Sequence, residues 1–143
     1  MTAPIGIDLG TKRIGLAVAT GSVATPHRVM QRSGDDAADA AVIAAEAAGR
    51  GTGRVVLGYP KRLDGTAGPA AQAAEEFAAA LRDAGLDVVL WDERLSTAEV
   101  DKMLIGSGAR RARRREVVDK LAATVILQNY LDAHPREEPG ETG

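Results

Sequence analysis

Pro4-Ile5-Gly6-Ile7-Asp8-Leu9-Gly10-Thr11-Lys12-Arg13-Ile14-Gly15-Leu16-Ala17-Val18-Ala19 decides how this chain folds. Ile5, Ile7 and Leu9 alternate with Gly6 and Asp8. Ile14, Leu16 and Val18 alternate with Gly15, Ala17 and Ala19, and Gly10 to Arg13 supplies the turn between them. A period of two on both sides of a short glycine-led turn predicts a β-hairpin. Because strand side chains alternate between faces, Asp8 shares its face with Gly6, and the paired strand offers only glycine and alanine there. That leaves space beside a carboxylate. Asp8 can also act locally, by accepting hydrogen bonds from the turn amides of Gly10 and Thr11.

The 143 residues fit one domain with a real core. Eighteen Lys and Arg against 20 Asp and Glu give a formal charge of -2, so the overall balance does not announce a polyanionic partner. Cysteine is absent, which removes disulfides, thiolate metal sites and a cysteine nucleophile. With only His27 and His134, zinc is also disfavoured, and any metal is expected to be held by oxygen. No signal-like start and no apolar run near the ~20 residues of a membrane span is present, so a cytoplasmic protein without membrane contact is expected.

Beyond the hairpin, Ser22 to Arg32 reads as an edge strand interrupted by Pro26. An alanine-rich helix is expected from Asp35 to Ala48, with Asp35, Asp36 and Asp39 at its positive end and Gly49 to Gly53 after it. Arg54 to Gly58 reads as a buried strand that opens into the basic loop Tyr59 to Thr66. Pro69 starts a helix with Ala73, Phe77, Ala80 and Leu81 at helical spacing, ended by Gly85. Asp87 to Asp92 is a second buried strand, after which Ser96 and Glu99 form a capping box for a helix to about Ile105. Strands alternating with helices imply parallel pairing, so the sheet is mixed: antiparallel at the opening hairpin and parallel afterwards.

Three acids and one basic cluster carry the chemistry. The loop Gly106 to Arg115 holds Arg110, Arg111, Arg113, Arg114 and Arg115, and a last helix is expected to begin at Glu116. Arginine forks match phosphate oxygens, which makes this loop a docking point for a polyanion, although such a run can also be plain solvated surface. In the last helix Asp119 shares an otherwise apolar face with Ala122, Ala123, Ile126 and Tyr130. A carboxylate there needs a cation, whether an arginine or a metal. Glu93 ends its strand on the face of Val89 and Trp91, and is expected beside Asp8 at the carboxyl edge of a neighbouring strand; Asp92 points the other way. Asp8, Glu93 and Asp119, with no histidine or cysteine among them, form the kind of oxygen set that suits Mg2+ or Mn2+. Two such ions can activate water and stabilise the leaving oxygen in phosphodiester cleavage.

Four segments together resemble the YqgF family, also called RuvX: Gly6-Ile7-Asp8-Leu9-Gly10; Gly58-Tyr59-Pro60 with Asp64-Gly65-Thr66; Asp92-Glu93-Arg94-Leu95-Ser96-Thr97; and Val118-Asp119 with Ala122-Ala123 through Ile126 to Leu131. The resemblance spans nearly everything but the tail. It implies a ribonuclease H-like fold, a five-stranded mixed sheet with helices on both faces. It also implies a nuclease linked to maturation of the small-subunit ribosomal RNA precursor or to Holliday-junction resolution. Carried over by position, Asp8, Glu93 and Asp119 are the metal-binding catalytic acids. Charge and location add Lys12, Arg13, Lys61, Arg62, Arg94 and the arginines Arg110, Arg111, Arg113, Arg114 and Arg115 as phosphate contacts. Tyr59 stands where the family more often has leucine.

The expected domain is 1–134, followed by a disordered acidic tail at 135–143. The expected partner is structured RNA or branched DNA, met by a monomer or a homodimer. Two other readings remain open. The Asp8 hairpin also resembles the phosphate-binding turn of the actin and sugar-kinase group, whose members need two such domains where this chain supplies one. A non-catalytic nucleic-acid module on the same fold is the third.

Overall fold

In a computed structural model, residues 3–60, 68–92 and 111–134 are described, excepting the side chains of 111–120. The elements in chain order are β1 (Ile5–Leu9), β2 (Arg13–Thr20), β3 (Val23–Gln31), α1 (Asp36–Gly49), β4 (Arg54–Tyr59), α2 (Pro69–Asp83), β5 (Asp87–Asp92) and α3 (Arg111–Ala133). The strands form one five-stranded sheet in the order β3-β2-β1-β4-β5. β1 pairs antiparallel with β2 and parallel with β4, so the mixed sheet expected from the sequence is present with β1 at its centre. The capping-box helix at 96–105, the loop from Lys61 and the tail lie outside the described residues.

The opening hairpin has the expected register. Gly6 faces Ala17 and Asp8 faces Gly15, while Gly10 N donates to the Arg13 carbonyl at 2.8 Å to close the turn. A Cβ on Gly10 would sit 2.8 Å from that same carbonyl oxygen, so this turn is tight enough to require glycine. β3 is the expected edge strand. Its pairing with β2 shifts register between Leu16 and Ala17, where Pro26, which has no N–H to give, lies opposite Ala17.

Alternation along the strands divides the core in two. On one face Ile5, Ile7, Ile14, Leu16, Val55 and Leu57 pack beneath Ala40, Ile43 and Ala47 of α1 and Ala74, Phe77, Ala78 and Leu81 of α2. Asp35 caps α1 by accepting from the amides of Ala37 (3.0 Å) and Ala38 (3.3 Å), and Gly51, at φ 76°, turns the chain out of it. Pro69 stands at the start of α2, where its missing N–H costs nothing. On the opposite face, among the described residues, α3 is the one helix that packs on the sheet. Ala17, Ala24 and Val56 meet Ala123, Ile126, Leu127, Tyr130 and Leu131. The predicted stripe of Ala122, Ala123, Ile126 and Tyr130 is buried throughout.

α3 approaches the sheet closely at one place. A Cβ on Gly6 would lie 2.7 Å from Leu127 Cβ and 2.8 Å from the Ala123 carbonyl oxygen, so only glycine lets β1 and α3 meet. Further along, Tyr130 receives a hydrogen bond from Arg54 at the start of β4, and Gln128 holds the Ser22 carbonyl and Ala24 amide of the β2–β3 turn. Since residues 123 and 127 meet the middle of β1 and residues 128 and 130 meet the opposite end of the sheet from Asp8, α3 runs antiparallel to β1.

Two expectations need correction. The last helix begins at Arg111 rather than Glu116, so Arg111, Arg113, Arg114 and Arg115 belong to its first turns and not to a loop. Arginine and alanine are good helix formers, and nothing between Ala109 and Glu116 breaks a helix. The second concerns β5, which is not the neighbour of β1, because β4 lies between them. Among the described residues no helix is long and apolar enough to cross a membrane.

Candidate active site at the carboxyl end of the central strand

Asp8 is the penultimate residue of the central strand, half-buried, on the face covered by α3. Its antiparallel partner in β2 is Gly15. On the other side, Ile7 pairs with Leu57, so the next step of the parallel register sets Gly58 level with Asp8, and Gly58 in turn pairs with Trp91 of β5. A row Gly15, Asp8, Gly58, Trp91 therefore crosses the sheet on one face. Glycine on both sides of Asp8 leaves its carboxylate without side-chain walls along the sheet. Two interstrand steps, roughly 10 Å, separate the β1 and β5 backbones at this level. Trp91 leans onto α3, with its ring centroid 5.6 Å from Tyr130 and 5.8 Å from His134.

The direction of α3 matters here. Position 123 lies over Gly6, and one helical turn back, about 5–6 Å, is position 119. Asp8 lies two strand residues beyond Gly6, about 6.6 Å in the same direction. The backbone thus brings Asp119 to the level of Asp8 on the same face of the sheet. Glu93 lies outside the described residues, immediately after β5; Asp92, the last residue of β5, is exposed and on the opposite parity from Trp91. No group of three or more metal-ligating side chains exists among the described residues, of which only Asp8 belongs to the expected acid set with a described side chain.

Of the expected basic contacts, Arg13 begins β2 on the face of Gly15 and is diagonal to Asp8 across the strand pair, a spacing of roughly 7–8 Å that a long side chain spans. Lys12 sits exposed in the turn, and among the described residues nothing pairs with its ammonium. Arg111, Arg113, Arg114 and Arg115 occupy the first turns of α3, which point beyond the Asp8 end of the sheet. Four cations at the positive end of a helix are locally unfavourable, each by about 0.3–1 kcal/mol when exposed, and concentrate positive potential where an anion can relieve it. Lys61, Arg62, Arg94 and Arg110 lie outside the described residues.

The sequence reading missed Arg32. Its guanidinium donates to the Gly10 carbonyl at 2.9 Å and to Asp36 at 3.1 Å, and its amide donates to the Lys12 carbonyl at 2.9 Å. One residue thus ties the Asp8 turn to the start of α1. A basic residue closing an edge strand just before Ser33-Gly34 was the available signal.

A central β1 flanked antiparallel by β2 and parallel by β4, with helices on both faces, is a ribonuclease H-like architecture. The fold is similar to that of T. thermophilus RuvC in complex with a Holliday junction substrate, at a TM-score of 0.57 and 19% identity over 96% of this chain and 98% of that one. A family model described as "RuvX: Holliday junction resolvase" matches residues 2–133, and the chain belongs to that family. Relatives provisionally named pre-16S rRNA nuclease include one from Myxococcus xanthus (strain DK1622), 46% identical over 132 residues, covering 91% of this chain and 87% of the relative. Another, from Geobacillus kaustophilus (strain HTA426), is 44% identical over 133 residues, covering 90% of this chain and 96% of the relative.

Proposed function

We propose that this protein is a metal-dependent nuclease that hydrolyses phosphodiester bonds and trims the 5′ end of pre-16S rRNA during ribosome biogenesis in the cytoplasm. The observation that carries the reading is Asp8 standing between two glycines at the carboxyl end of the central strand, level with position 119 of α3. Asp8, Glu93 and Asp119 are the proposed ligands of Mg2+ or Mn2+. The all-oxygen donor set fits these hard cations, and the glycines beside Asp8 are consistent with space for two of them. When bound, such ions supply water activation and charge stabilisation at the leaving oxygen.

The chain's own groups do the rest. Asp8 contributes a carboxylate fixed by the strand that carries it, and Arg13 reaches the phosphate from the diagonal position. Lys12 and the α3 arginines Arg111, Arg113, Arg114 and Arg115 hold neighbouring phosphates of the strand, as do Arg110, Arg94, Lys61 and Arg62 in this reading. Phosphate contacts position a strand without reading its sequence, so the choice of RNA rests on the relatives' names. The family description favours a second substrate, the four-way DNA junction.

The deciding experiment compares wild type with Asp8→Asn on pre-16S rRNA fragments, single-stranded RNA and a four-way DNA junction, with Mg2+, Mn2+ or chelator. Cleavage of the precursor that chelation and the substitution both remove is the expected result. Preference for the junction replaces the RNA reading with resolution of branched DNA. Absence of cleavage with equal binding by both proteins overturns the nuclease and leaves a binding module.

A further inference from the structure

A cavity of about 500 Å³ opens beside the β1–β2 turn, lined by Thr11, Lys12, Gln31, Arg32, Gly34 and Asp36. Its size falls in the range of small-ligand sites, roughly 300–1,000 Å³. Its walls are polar groups with unused hydrogen-bonding capacity. Among the described residues neither the Thr11 hydroxyl, the Lys12 ammonium nor the Gln31 side-chain amide is engaged. Arg32 is held in place by the Gly10 carbonyl and Asp36 but keeps further N–H donors to give. Asp36 offsets the charge of Arg32, so Lys12 is left as the net positive group. The other two acids of this corner are occupied: Asp35 accepts from the α1 amides, and Asp39, buried, accepts from the Ser33 amide at 3.1 Å.

The geometry points to this cavity as a subsite for one nucleotide of the bound strand, its phosphate between Lys12 and Arg32 and its sugar or base donors toward Gln31 and Asp36. Donors alone would suit a bare anion. The mixture of two cations with a carboxylate and an amide suits a nucleotide, which offers charge at one end and neutral donors and acceptors at the other. Arg32 also fixes the distance between this cavity and the catalytic end of β1. Through Gly10 and Lys12 it joins the turn that follows Asp8 to the β3–α1 junction. A strand seated here and cut beside Asp8 is therefore held at two places that one turn connects.

The identity of the ligand rests on the nuclease reading, and the test separates the two. Titrating a uridine trinucleotide into 15N-labelled protein is expected to shift the amides of Thr11, Lys12, Gln31, Arg32 and Gly34. In binding to a fluorescent single-stranded RNA, Lys12→Gln is expected to lower the salt slope by about 0.7. Gln31→Glu is expected to weaken binding roughly 3- to 5-fold, the size of one surface charge contact, whereas Val42→Glu, the same charge change on the exposed side of α1, leaves it unchanged. Amide shifts confined to other residues, or equal effects of Gln31→Glu and Val42→Glu, overturn the subsite. A wild type that cuts no nucleic acid overturns the nuclease while the amide shifts still decide the cavity.

Discussion

Gly6→Ala tests the contact that sets the catalytic face. The new methyl would lie 2.7 Å from Leu127 Cβ and 2.8 Å from the Ala123 carbonyl oxygen. Neither atom can rotate away, because one is a Cβ and the other is backbone, so α3 must lift from the sheet by several tenths of an ångström. Overpacking of this kind costs about 1–3 kcal/mol. At roughly 3–4 °C per kcal/mol for a domain of this size, Tm falls by roughly 3–12 °C. Activity is expected to fall further than stability explains, because the shift moves position 119 relative to Asp8, and misplacement by ~1 Å can cost 10²-fold. Thermal unfolding followed by circular dichroism, with cleavage measured well below Tm, reads both effects. Gly49→Ala is the control: nothing lies within 4 Å of its Cβ, and it ends α1. It is expected to be neutral or to stabilise by about 0.5–1 kcal/mol. A Gly6→Ala protein with wild-type Tm and activity would refute the close-approach argument.

Three further outcomes are expected. Asp35→Ala removes the cap that satisfies two α1 amides and lowers stability by about 1 kcal/mol, read by urea denaturation, with Asp35→Ser restoring most of it. Phe77→Ala empties the centre of the two-helix face, where Phe77 is fully buried, and costs about 3–5 kcal/mol by the same assay. Tyr59, whose hydroxyl donates to Glu75, has its pKa raised above the ordinary 10 by that bond first, then by desolvation and the carboxylate's charge. Because the folded value lies above the unfolded one, the contribution to stability is complete below pH 10 and lost as pH rises through the folded value. Phenolate absorbance should therefore show Glu75→Gln ionising one of the two tyrosines at lower pH than wild type.

The opening hairpin was legible because a period of two fixes which face each residue takes, and Asp8 opposite Gly15 follows from that alone. The apolar face of the last helix was legible for the same reason at a period of 3.6. Strand order was not. Adjacency in a parallel sheet is set by where crossovers land, and no local pattern shows that β4 inserts between β1 and β5. The start of α3 is not legible either, because a run of charge reads as loop although arginine has no aversion to helix. Arg32 escaped because its role depends on the Gly10 carbonyl, a backbone atom 22 residues away that sequence patterns cannot position. Gly58 belongs to a recognisable motif, but only the register reveals that it stands level with Asp8 and adds no side chain there.

The contact between Gly6 and α3 joins the earliest strand of the chain to its last described helix. During synthesis at ~5–20 residues per second, residue 123 leaves the peptidyl transferase centre roughly 6–23 seconds after Gly6. Until α3 is made, the Asp8 face of the central strand lacks the helix that packs on it, and position 119 does not exist to meet it. A nascent chain is thus unable to assemble the cleft before α3 has been made. If the proposed substrate is the RNA of that same machine, order of manufacture keeps a growing chain silent until α3 has joined the central strand.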